Sequence, residues 1–596
     1  MYVSRCIYIH MYMYFLFCFL LSFSHFVCFL SFFFFLHISF LKYCHCVSLF
    51  ATRQYGVCVW QRGGGGREEG GELVITRAEK YTCVSRVRLC GIHSAGIEGE
   101  REERMACVHV LVGQCGNQLG TQFLDNLVAE AYTSDEDDGF AAQVSSLHFR
   151  PSPMLRGSEL NHGVTMPPLP RCVMIDMEPK VIEGILNNTK NGGAYRPHVR
   201  QCITRDEGSA NNWACGYFQQ GSSRKEEILD SLRRESESSG TVSTFHVVHS
   251  IAGGTGSGVG CLVADAIREE FPFALLLHSV VWPFSTGEVV TQWYNCVMAM
   301  SALRDTADAI FMAHNDDFGD AAVFTNKKKA ICDVHRGEVS FTRINDDISR
   351  LLVDMHLPQN IYRVTQPTTT ALATTCNMKR HRFLHPQALQ GAEEVCSHTS
   401  HAGVLRRGSV ADLVESVALD PALKFFSGVS LPNDAGIPSR GGGGDSSGGG
   451  AGVKDNSLSW GSVMRHAARK SAELFPPFTG RYTGGVLQQR PFIWSLRGSS
   501  VCSEGITALQ EVTSSPSYTG IALLHEKRYR GYTAHVSLFG PTCKIGIRLS
   551  KALERTEQLL SVRAFIHHFN RYGVEVDDVR DAVVRLWDTA TIYTSS

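Results

Sequence analysis

The stretch that points most directly to chemistry is IAGGTGSGVG, residues 251–260, in which five of ten residues are glycine. It joins an apolar run to a segment of helical periodicity. A glycine loop that opens a helix presents backbone N–H groups at the positive end of the helix dipole. Thr255 and Ser257 add hydroxyl donors, so the loop predicts an anion site.

Two common phosphate-binding signatures do not fit this loop. A P-loop requires a lysine that is absent here, and a dinucleotide-binding GxGxxG pattern finds Val259 or Cys261 at its third glycine. A tight strand-to-helix turn without a ligand is the alternative reading. Such a turn normally needs one or two glycines, so an anion-binding loop of another type is favoured.

The elements around the loop alternate between short apolar strands and helical segments. CVHVLV (107–112) precedes GQCGNQLG, and similar strands at 172–175, 244–251, 275–282 and 309–312 each end in a glycine-rich or acidic turn. Alternation of this kind predicts an α/β fold, with a doubly wound, mostly parallel sheet covered on both faces. Turns that follow parallel strands meet at one edge of the sheet, where ligands bind.

The second half of the chain is less regular. Core segments at 422–431, 491–496 and 535–540 predict a second α+β domain, interrupted by polar or glycine-rich insertions at 366–401 and 440–452. A helical hairpin is expected at the end of the chain. One of its faces would carry Val562, Phe565, Ile566 and Phe569, and the other Val579, Val583 and Leu586.

Charge and cysteine spacing argue against some classes of protein. The 596 residues carry a formal net charge of −1 without a long basic block, which argues against a nucleic-acid partner. Twenty cysteines are present without a CxxC pair. This spacing is typical of reduced thiols rather than of a disulfide framework or a zinc site.

Several motifs resemble those of the tubulin family. GGTGSG resembles its signature loop, and GQCGNQLG at 113–120 its first nucleotide loop. IDMEPKVI (175–182), EGSANNWACGY (207–217), VVWPFSTGEVV (280–290) and AFIHHFNRYG (564–573) are similar to the δ branch rather than to the α or β forms. The resemblance implies a GTP-binding domain over 105–345, an intermediate domain over 346–545, carboxyl-terminal helices over 546–596, and GTP or GDP with Mg²⁺ as ligands.

The resemblance also assigns site residues. It places the acidic pair Asp176 and Glu178 near the metal, and Mg²⁺ prefers such oxygen ligands. Glu288 and Gln292 would contact the ribose, Asn315 and Asn345 the guanine edge, and Phe341 would stack on the base. The phosphates would be held by three loops: Gly113, Gln114 and Cys115; Gly208, Ser209, Ala210, Asn211 and Asn212; and Gly253, Gly254, Thr255, Gly256, Ser257 and Gly258.

In polymerising tubulins a second subunit completes the site with a carboxylate. The matching segment, GSVADLVESV, would supply Asp412 and Glu415, one turn apart on a helix. The alternative is that both are solvated acids on an amphipathic helix. We therefore expect nucleotide binding with slow turnover in the isolated protein.

The amino-terminal 104 residues do not fit a tubulin. Met11 to Leu41 is apolar and long enough to span a bilayer, and low-complexity QRGGGGREEGGE follows it. A membrane anchor is one reading. Because Met105 stands where the family's initiator would be, we expect 1–104 to be a non-native upstream extension, and no membrane association for the mature chain.

The resemblance implies a role and partners. The chain ends in RLWDTATIYTSS without the acidic tail of α- and β-tubulins, which favours a specialised role. We expect a cytoplasmic cytoskeletal protein at centrioles and basal bodies, in triplet-microtubule formation and cilium or flagellum assembly, with other tubulins and basal-body components as partners. A GTPase whose turnover is the function, completed in trans by Glu415, is the alternative. An NAD-dependent oxidoreductase is disfavoured by the failed GxGxxG spacing.

Overall fold

The computed structural model describes residues 105–132, 138–150, 168–190, 195–286, 289–318, 341–364, 406–408, 423–431, 458–474, 492–513, 520–526 and 532–594. The expectations for residues 1–104 and for the insertions at 366–401 and 440–452 lie outside these residues. Among the helices described, none combines the length and the apolar character that a bilayer span requires.

The first half of the fold is a parallel sheet. Its strands are β1 (Met105–Val112), β4 (Cys172–Asp176), β5 (Cys202–Thr204), β6 (Thr241–Ser250), β7 (Leu275–Trp282) and β8 (Ala309–His314), and a side hairpin pairs β2 (Phe149–Arg150) with β3 (Leu169–Pro170). The parallel strands lie in the order β5-β4-β1-β6-β7-β8. β4 and β8 are buried along their whole length, as apolar strands covered on both faces should be. The predicted α/β class with a mostly parallel sheet is confirmed.

The sheet continues into a mixed half beyond β8. The added strands are β9 (Gln359–Val364), β10 (Arg406–Gly408), β11 (Phe425–Leu431), β12 (Phe492–Gly498), β13 (Gly520–His525) and β14 (Ala534–Gly540). β11 runs parallel to β8 and antiparallel to β14, so it joins the two halves. Apart from the β2–β3 hairpin, the described strands form one sheet of twelve, whose mixed half runs β11-β14-β12-β13-β9-β10.

Helices cover both faces of this sheet. Those of the first half are α1 (Gly113–Tyr132), α2 (Asp138–His148), α3 (Pro179–Lys190), α4 (Lys225–Ser239), α5 (Gly260–Glu270) and α6 (Gln292–Thr306). Those of the second half are α7 (Phe341–His356), α8 (Trp460–Leu474), α9 (Ile506–Thr513), α10 (Cys543–Ser561), α11 (His567–Asn570) and α12 (Val576–Thr594). Helical spacing of apolar residues in the sequence predicts a buried face on α1, and its members Leu119, Phe123, Leu124, Leu127 and Val128 are buried. The corresponding face beside the glycine loop is also buried: Val259, Leu262, Val263, Ala266 and Ile267.

The carboxyl-terminal hairpin exists, but one of its predicted faces is wrong. α10 packs against α12, whose Val579, Val583 and Leu586 are buried as expected. α10 ends at Ser561, however, and Val562 is 73% exposed. The backbone of Phe565 is left-handed, with φ of 60°, because residues 562–566 turn the chain. A continuous helical face from 562 to 569 is therefore impossible.

A buried ionic network connects the two halves of the sheet. Arg497 on β12 is fully buried and donates to Asp354 Oδ1 on α7 at 2.8 Å and to Glu130 Oε2 on α1 at 2.5 Å. Ser537 on β14 donates to the other oxygen of Asp354 at 2.6 Å. Each partner comes from a different element, so this network fixes α1 and α7 against the mixed strands.

Removal of Asp354 leaves the Arg497 guanidinium with one counter-ion in a dry core. We expect Asp354→Ala to lower the free energy of unfolding by about 3–5 kcal/mol, measured by urea denaturation. Asp577→Ala is the matched control, because its pair with Arg580 lies in solvent and removal should cost less than about 1 kcal/mol. Equal losses in the two variants would contradict this account.

Candidate functional site

Strand register brings the predicted loops to one edge of the sheet. Val112, the last residue of β1, pairs with Ile175 of β4 on one side and with His249 of β6 on the other. Gly113, Asp176 at the end of β4 and the glycine loop after β6 therefore start side by side. This edge, formed by 113–115, 176–178, 208–212 and 253–258, is called the loop rim below.

The glycines of the loop rim permit close backbone packing. A β-carbon on Gly254 would lie 2.4 Å from the Ser209 carbonyl oxygen, and one on Gly258 would lie 2.3 Å from that of Trp213. Both distances are shorter than any side chain tolerates. Gly254 has an ordinary helical φ of −76°, so contact rather than conformation requires glycine here.

The two hydroxyls of the glycine loop are both engaged within the protein. Thr255 Oγ1 lies 2.9 Å from Ser209 Oγ, which joins this loop to the one after β5. The hydroxyl of Ser257 is buried and donates to the Gly253 carbonyl. The Ser257 hydroxyl is therefore engaged within the protein in this conformation.

The first loop is held against the glycine loop. Gly113 has a φ of +74°, and a β-carbon there would lie 3.0 Å from the Gly256 amide nitrogen. Gln114 is exposed and Cys115 half-buried, while the unpredicted Asn117 is buried beneath them. Asn117 Nδ2 donates to the carbonyls of Gly113, at 2.9 Å, and Ile175, at 3.0 Å, and so locks the ends of β1 and β4 together. Asn117 follows Gly113 by four residues and so lies on the same helical face, and this spacing is the feature of the sequence that could have indicated its role.

Asp176 and Glu178 form the acidic part of the loop rim. Asp176 is 3% exposed; its Oδ1 accepts from the Glu178 amide at 3.4 Å, and its Oδ2 has no hydrogen-bond partner among the residues that the structure describes. Burial raises the pKa of Asp176 to about 6, against the lowering effect of backbone N–H donors. Glu178 is exposed, and its carboxylate reaches Gly208, where a β-carbon would lie 2.7 Å from Oε1. A buried carboxylate oxygen without a donor, beside a second carboxylate, fits a hard cation such as Mg²⁺.

The loop after β5 contains two residues in a strained conformation. Ala210 and Asn211 have φ of 49° and 50°, a region that non-glycine residues rarely occupy. Thr291 holds the loop by donating to the Asn211 carbonyl at 2.6 Å. Asn212 is buried, its Nδ2 donating to the His568 carbonyl at 2.8 Å and its Oδ1 accepting from the Ala214 amide at 2.8 Å. The side chain of Asn212 therefore stabilises the fold of this loop.

Asn295 on α6 is a second residue that sequence reasoning missed. Its Nδ2 donates to the carbonyls of Asn211, at 2.9 Å, and Ala252, at 2.7 Å, while its Oδ1 accepts from the Trp213 amide at 2.8 Å. One buried amide thus satisfies backbone groups of two loops and fixes their spacing. A lone asparagine in a helical segment gave no signal of this role.

The residues expected at sugar and base lie on neighbouring elements. Gln292 is fully buried, and its Oε1 accepts from the Val289 amide at 3.3 Å; Glu288 lies outside the described residues. Asn315 is buried at the end of β8. Phe341, which begins α7, is 53% exposed, with its ring centroid 6.1 Å from that of Phe284.

Asn345 lies half-buried one turn further along α7. Asn126 of α1 donates to Asp346 Oδ1 at 3.2 Å and to Ser349 Oγ at 2.6 Å, which fixes α7 against the helix that begins at Gly113. The structure therefore joins the three loops predicted to hold phosphate, and the α1–α7 contact links the helix of Phe341 and Asn345 to the first of them. Asp412 and Glu415, the expected catalytic pair, lie outside the described residues.

Comparison with known proteins agrees with this architecture. Residues 106–322 match the family model "Tubulin/FtsZ family, GTPase domain". The tubulin delta chain of Homo sapiens is 34% identical over 526 residues, a match that covers 82% of this chain and 99% of the human protein. The chain therefore belongs to the tubulin family, whose members are GTP-binding cytoskeletal proteins.

Within the family the similarity is to delta chains. The delta chain of Mus musculus is 24% identical over 522 residues and is also covered to 99%. A tubulin beta chain of Pyropia yezoensis is 32% identical, but over 262 residues and 55% of its length. The δ branch indicated by the sequence motifs is confirmed.

The raised pKa of Asp176 predicts how the stability of the protein depends on pH. Its folded value of about 6 lies above the ordinary value of 3.8, so its stabilising contribution is complete below the ordinary pKa and is lost as pH rises through 6. In protein stripped of nucleotide and Mg²⁺, we expect Asp176→Asn to be more stable than the wild type above pH 6, by roughly 1–3 kcal/mol. The difference should shrink towards pH 4.

Denaturant unfolding of both proteins across this pH range measures the effect. Added Mg²⁺ should stabilise the wild type and not Asp176→Asn, because the amide replaces the anionic ligand. A pH-independent difference between the two proteins would show that Asp176 is not a desolvated carboxylate.

Proposed function

We propose that this tubulin binds GTP or GDP with Mg²⁺ at the loop rim and acts at centrioles and basal bodies. The observation that carries the nucleotide site is the loop rim itself. Three loops from the ends of β1, β5 and β6 are held in mutual contact there, next to a buried carboxylate with an unpartnered oxygen. Backbone N–H groups and a hard-cation ligand in one place suit a polyphosphate with its metal.

The proposed roles follow from position and exposure. Residues 253–258 and 113–115 hold the inner phosphates, and residues 208–212 contact the terminal phosphate. Asp176 and Glu178 bind Mg²⁺, directly or through water. The exposed ring of Phe341 stacks on guanine, Asn315 and Asn345 bond its edge, and the ribose is reached by Glu288, with Gln292 shaping the turn beside it.

The biological assignment is supported by the match to delta chains along 82% of this chain. The proposed role is in triplet-microtubule formation or maintenance and in cilium or flagellum assembly. The proposed location is the cytoplasm, and the proposed partners are other tubulins and basal-body components. Loss of the protein should leave cells with cytoplasmic microtubules but with centrioles that lack complete triplets, as counted in electron micrographs. Normal triplets in cells without the protein would contradict the assignment.

Nucleotide turnover is a separate proposal. Glu415, with Asp412, is proposed to activate water on the GTP of a neighbouring subunit. GTP hydrolysis by purified protein should then rise with protein concentration, and Glu415→Ala should abolish that rise while leaving GTP binding intact. A rate per chain that does not depend on concentration would rule out completion of the site in trans.

The glycine loop offers a sharp test of the nucleotide site. The purified full chain should carry a stoichiometric guanine nucleotide, identified by chromatography after denaturation. Gly254→Ala should release it, with occupancy reduced at least about tenfold, because a β-carbon displaces the Ser209 and Asn212 backbone and costs more than about 1.4 kcal/mol of binding.

Gly184→Ala is the matched control for this substitution. Gly184 lies on α3, where an added β-carbon meets no atom within 4 Å, so nucleotide occupancy should not change. Circular dichroism shows whether both variants fold. A folded Gly254→Ala protein with full occupancy, or a wild type that carries NAD instead of a guanine nucleotide, would overturn the proposed site.

A further inference from the structure

A cluster of buried histidines lies in the core between the parallel sheet and α7. It contains His109 on β1, His148 at the end of α2, His246 on β6 and His356 at the end of α7, with Cys107 beside them on β1. His109 precedes Gly113 by four residues on an extended strand, about 13 Å along it, so the cluster is separate from the loop rim. Burial lowers the pKa of His148 to about 3 and that of His356 to about 4, so these rings are neutral.

The hydrogen bonds of the cluster fix the tautomer of each ring. His148 Nε2 contacts the His356 carbonyl at 3.1 Å, and a carbonyl only accepts, so His148 Nε2 carries the proton and its Nδ1 is an acceptor. His109 Nε2, 3.0 Å away, must then donate to that Nδ1. His109 Nδ1 is consequently an acceptor, and it receives the proton of His246 Nδ1 at 3.1 Å.

The same reasoning leaves one nitrogen without a partner. His356 Nδ1 donates to the Leu352 carbonyl at 2.8 Å, so His356 Nε2 bears a lone pair. That atom is buried and has no hydrogen-bond partner among the described residues. Single ligand atoms of Cys107, His109 and His356 all lie within 4.8 Å of one another, and all three residues are buried.

We propose that Cys107, His109 and His356 bind a single thiophilic d¹⁰ metal ion, Zn²⁺ or Cu⁺. Thiolate sulfur and imidazole nitrogen are the ligands these ions prefer, and the cluster contains no carboxylate that would suit Mg²⁺ or Ca²⁺. When the metal binds His109, a coordinate bond replaces one of the two hydrogen bonds of that ring. His246, whose Nδ1 lies 3.1 Å from that of His109, is positioned to become a fourth ligand once its proton moves from Nδ1 to Nε2, from which the Ser279 hydroxyl, 2.8 Å away, then accepts a hydrogen bond.

Binding of the metal is coupled to loss of a proton and to folding. Burial raises the pKa of the Cys107 thiol, so without metal it stays protonated, and metal binding releases that proton to solvent. Because the ligands come from β1 and the end of α7 and are enclosed by the core, the ion enters as the domain folds. The pattern Cys-x-His with a partner 247 residues later does not resemble a zinc-finger spacing, which is why sequence reasoning did not find it.

The experiment measures metal content of the full chain. Protein folded with Zn²⁺ or with Cu⁺ under reducing conditions is desalted and analysed by elemental mass spectrometry. We expect one tightly held equivalent of one of these ions in the wild type. Cys107→Ala and His356→Gln should lose it, with affinity reduced by more than the roughly 10- to 100-fold that loss of an outer-shell partner costs.

Matched controls come from buried residues away from the cluster. Cys261→Ala and His278→Gln remove a buried thiol, which donates to the Ala299 carbonyl, and a buried imidazole, which pairs with His249. Both controls should keep the ion. Metal retained equally by all four variants would overturn the proposal, because the ion would then lie elsewhere.

Cobalt substitution tests in the wild type alone whether Cys107 and the histidines bind a metal ion. Co²⁺ in the wild type should give a thiolate-to-metal charge-transfer band in the near ultraviolet together with the visible bands of a low-coordinate site. A Co²⁺-loaded wild type without the thiolate band, or a wild type that retains no metal after folding with either ion, would show that the cluster is only a hydrogen-bonded core.

Discussion

Contact between backbone segments too close for a β-carbon is the constraint on which the loop rim depends. Glycines 113, 254 and 258 allow the loops after β1, β5 and β6 to pack backbone to backbone. Asn295 forms hydrogen bonds with backbone groups of Asn211, Trp213 and Ala252 and so ties two of these loops together. The loops meet at the carboxyl edge of a parallel sheet, which is where ligands bind in such a fold.

Buried polar groups show how the fold separates structure from ligand binding. The charge of Arg497 is paired internally, since its guanidinium donates to Asp354 and Glu130, and Ser537 donates to Asp354. Asp176 Oδ2 and His356 Nε2 are among the buried atoms that have no hydrogen-bond partner within the described part of the chain. An unpaired buried polar atom is costly, and each of these two lies near another group that can bind a cation. Asp176 lies beside the Glu178 carboxylate, which suits a hard cation, and His356 lies beside the Cys107 thiol, which suits a softer one.

Much of the fold could be predicted because it is encoded locally. Periodicity located β1, β4, β6, β7 and β8 to within a few residues, and the helical faces beside both glycine loops were correct. The turn at 562–566 could not be read in this way. Val562 and Phe565 continue an apolar helical pattern, and only tertiary packing shows that the chain bends there.

The candidate site could be predicted only in part, because only some of its residues form local sequence motifs. Glycine loops and an acidic pair are short motifs, whereas Asn295 and the histidine cluster depend on register between strands that are distant in sequence. His109 and His246 are 137 residues apart and meet only because β1 pairs with β6. Residues of this kind carry ordinary local signals and acquire a role through topology.

Calorimetric titration of the full chain, first stripped of bound nucleotide, with GTP in the presence and absence of Mg²⁺ tests the central claim most directly. The account predicts saturable binding of one GTP that weakens when Mg²⁺ is withdrawn, together with NAD binding too weak to measure. Equal affinities for GTP and NAD, or GTP binding indifferent to Mg²⁺ in both the wild type and Asp176→Asn, would contradict a guanine-nucleotide site at the loop rim.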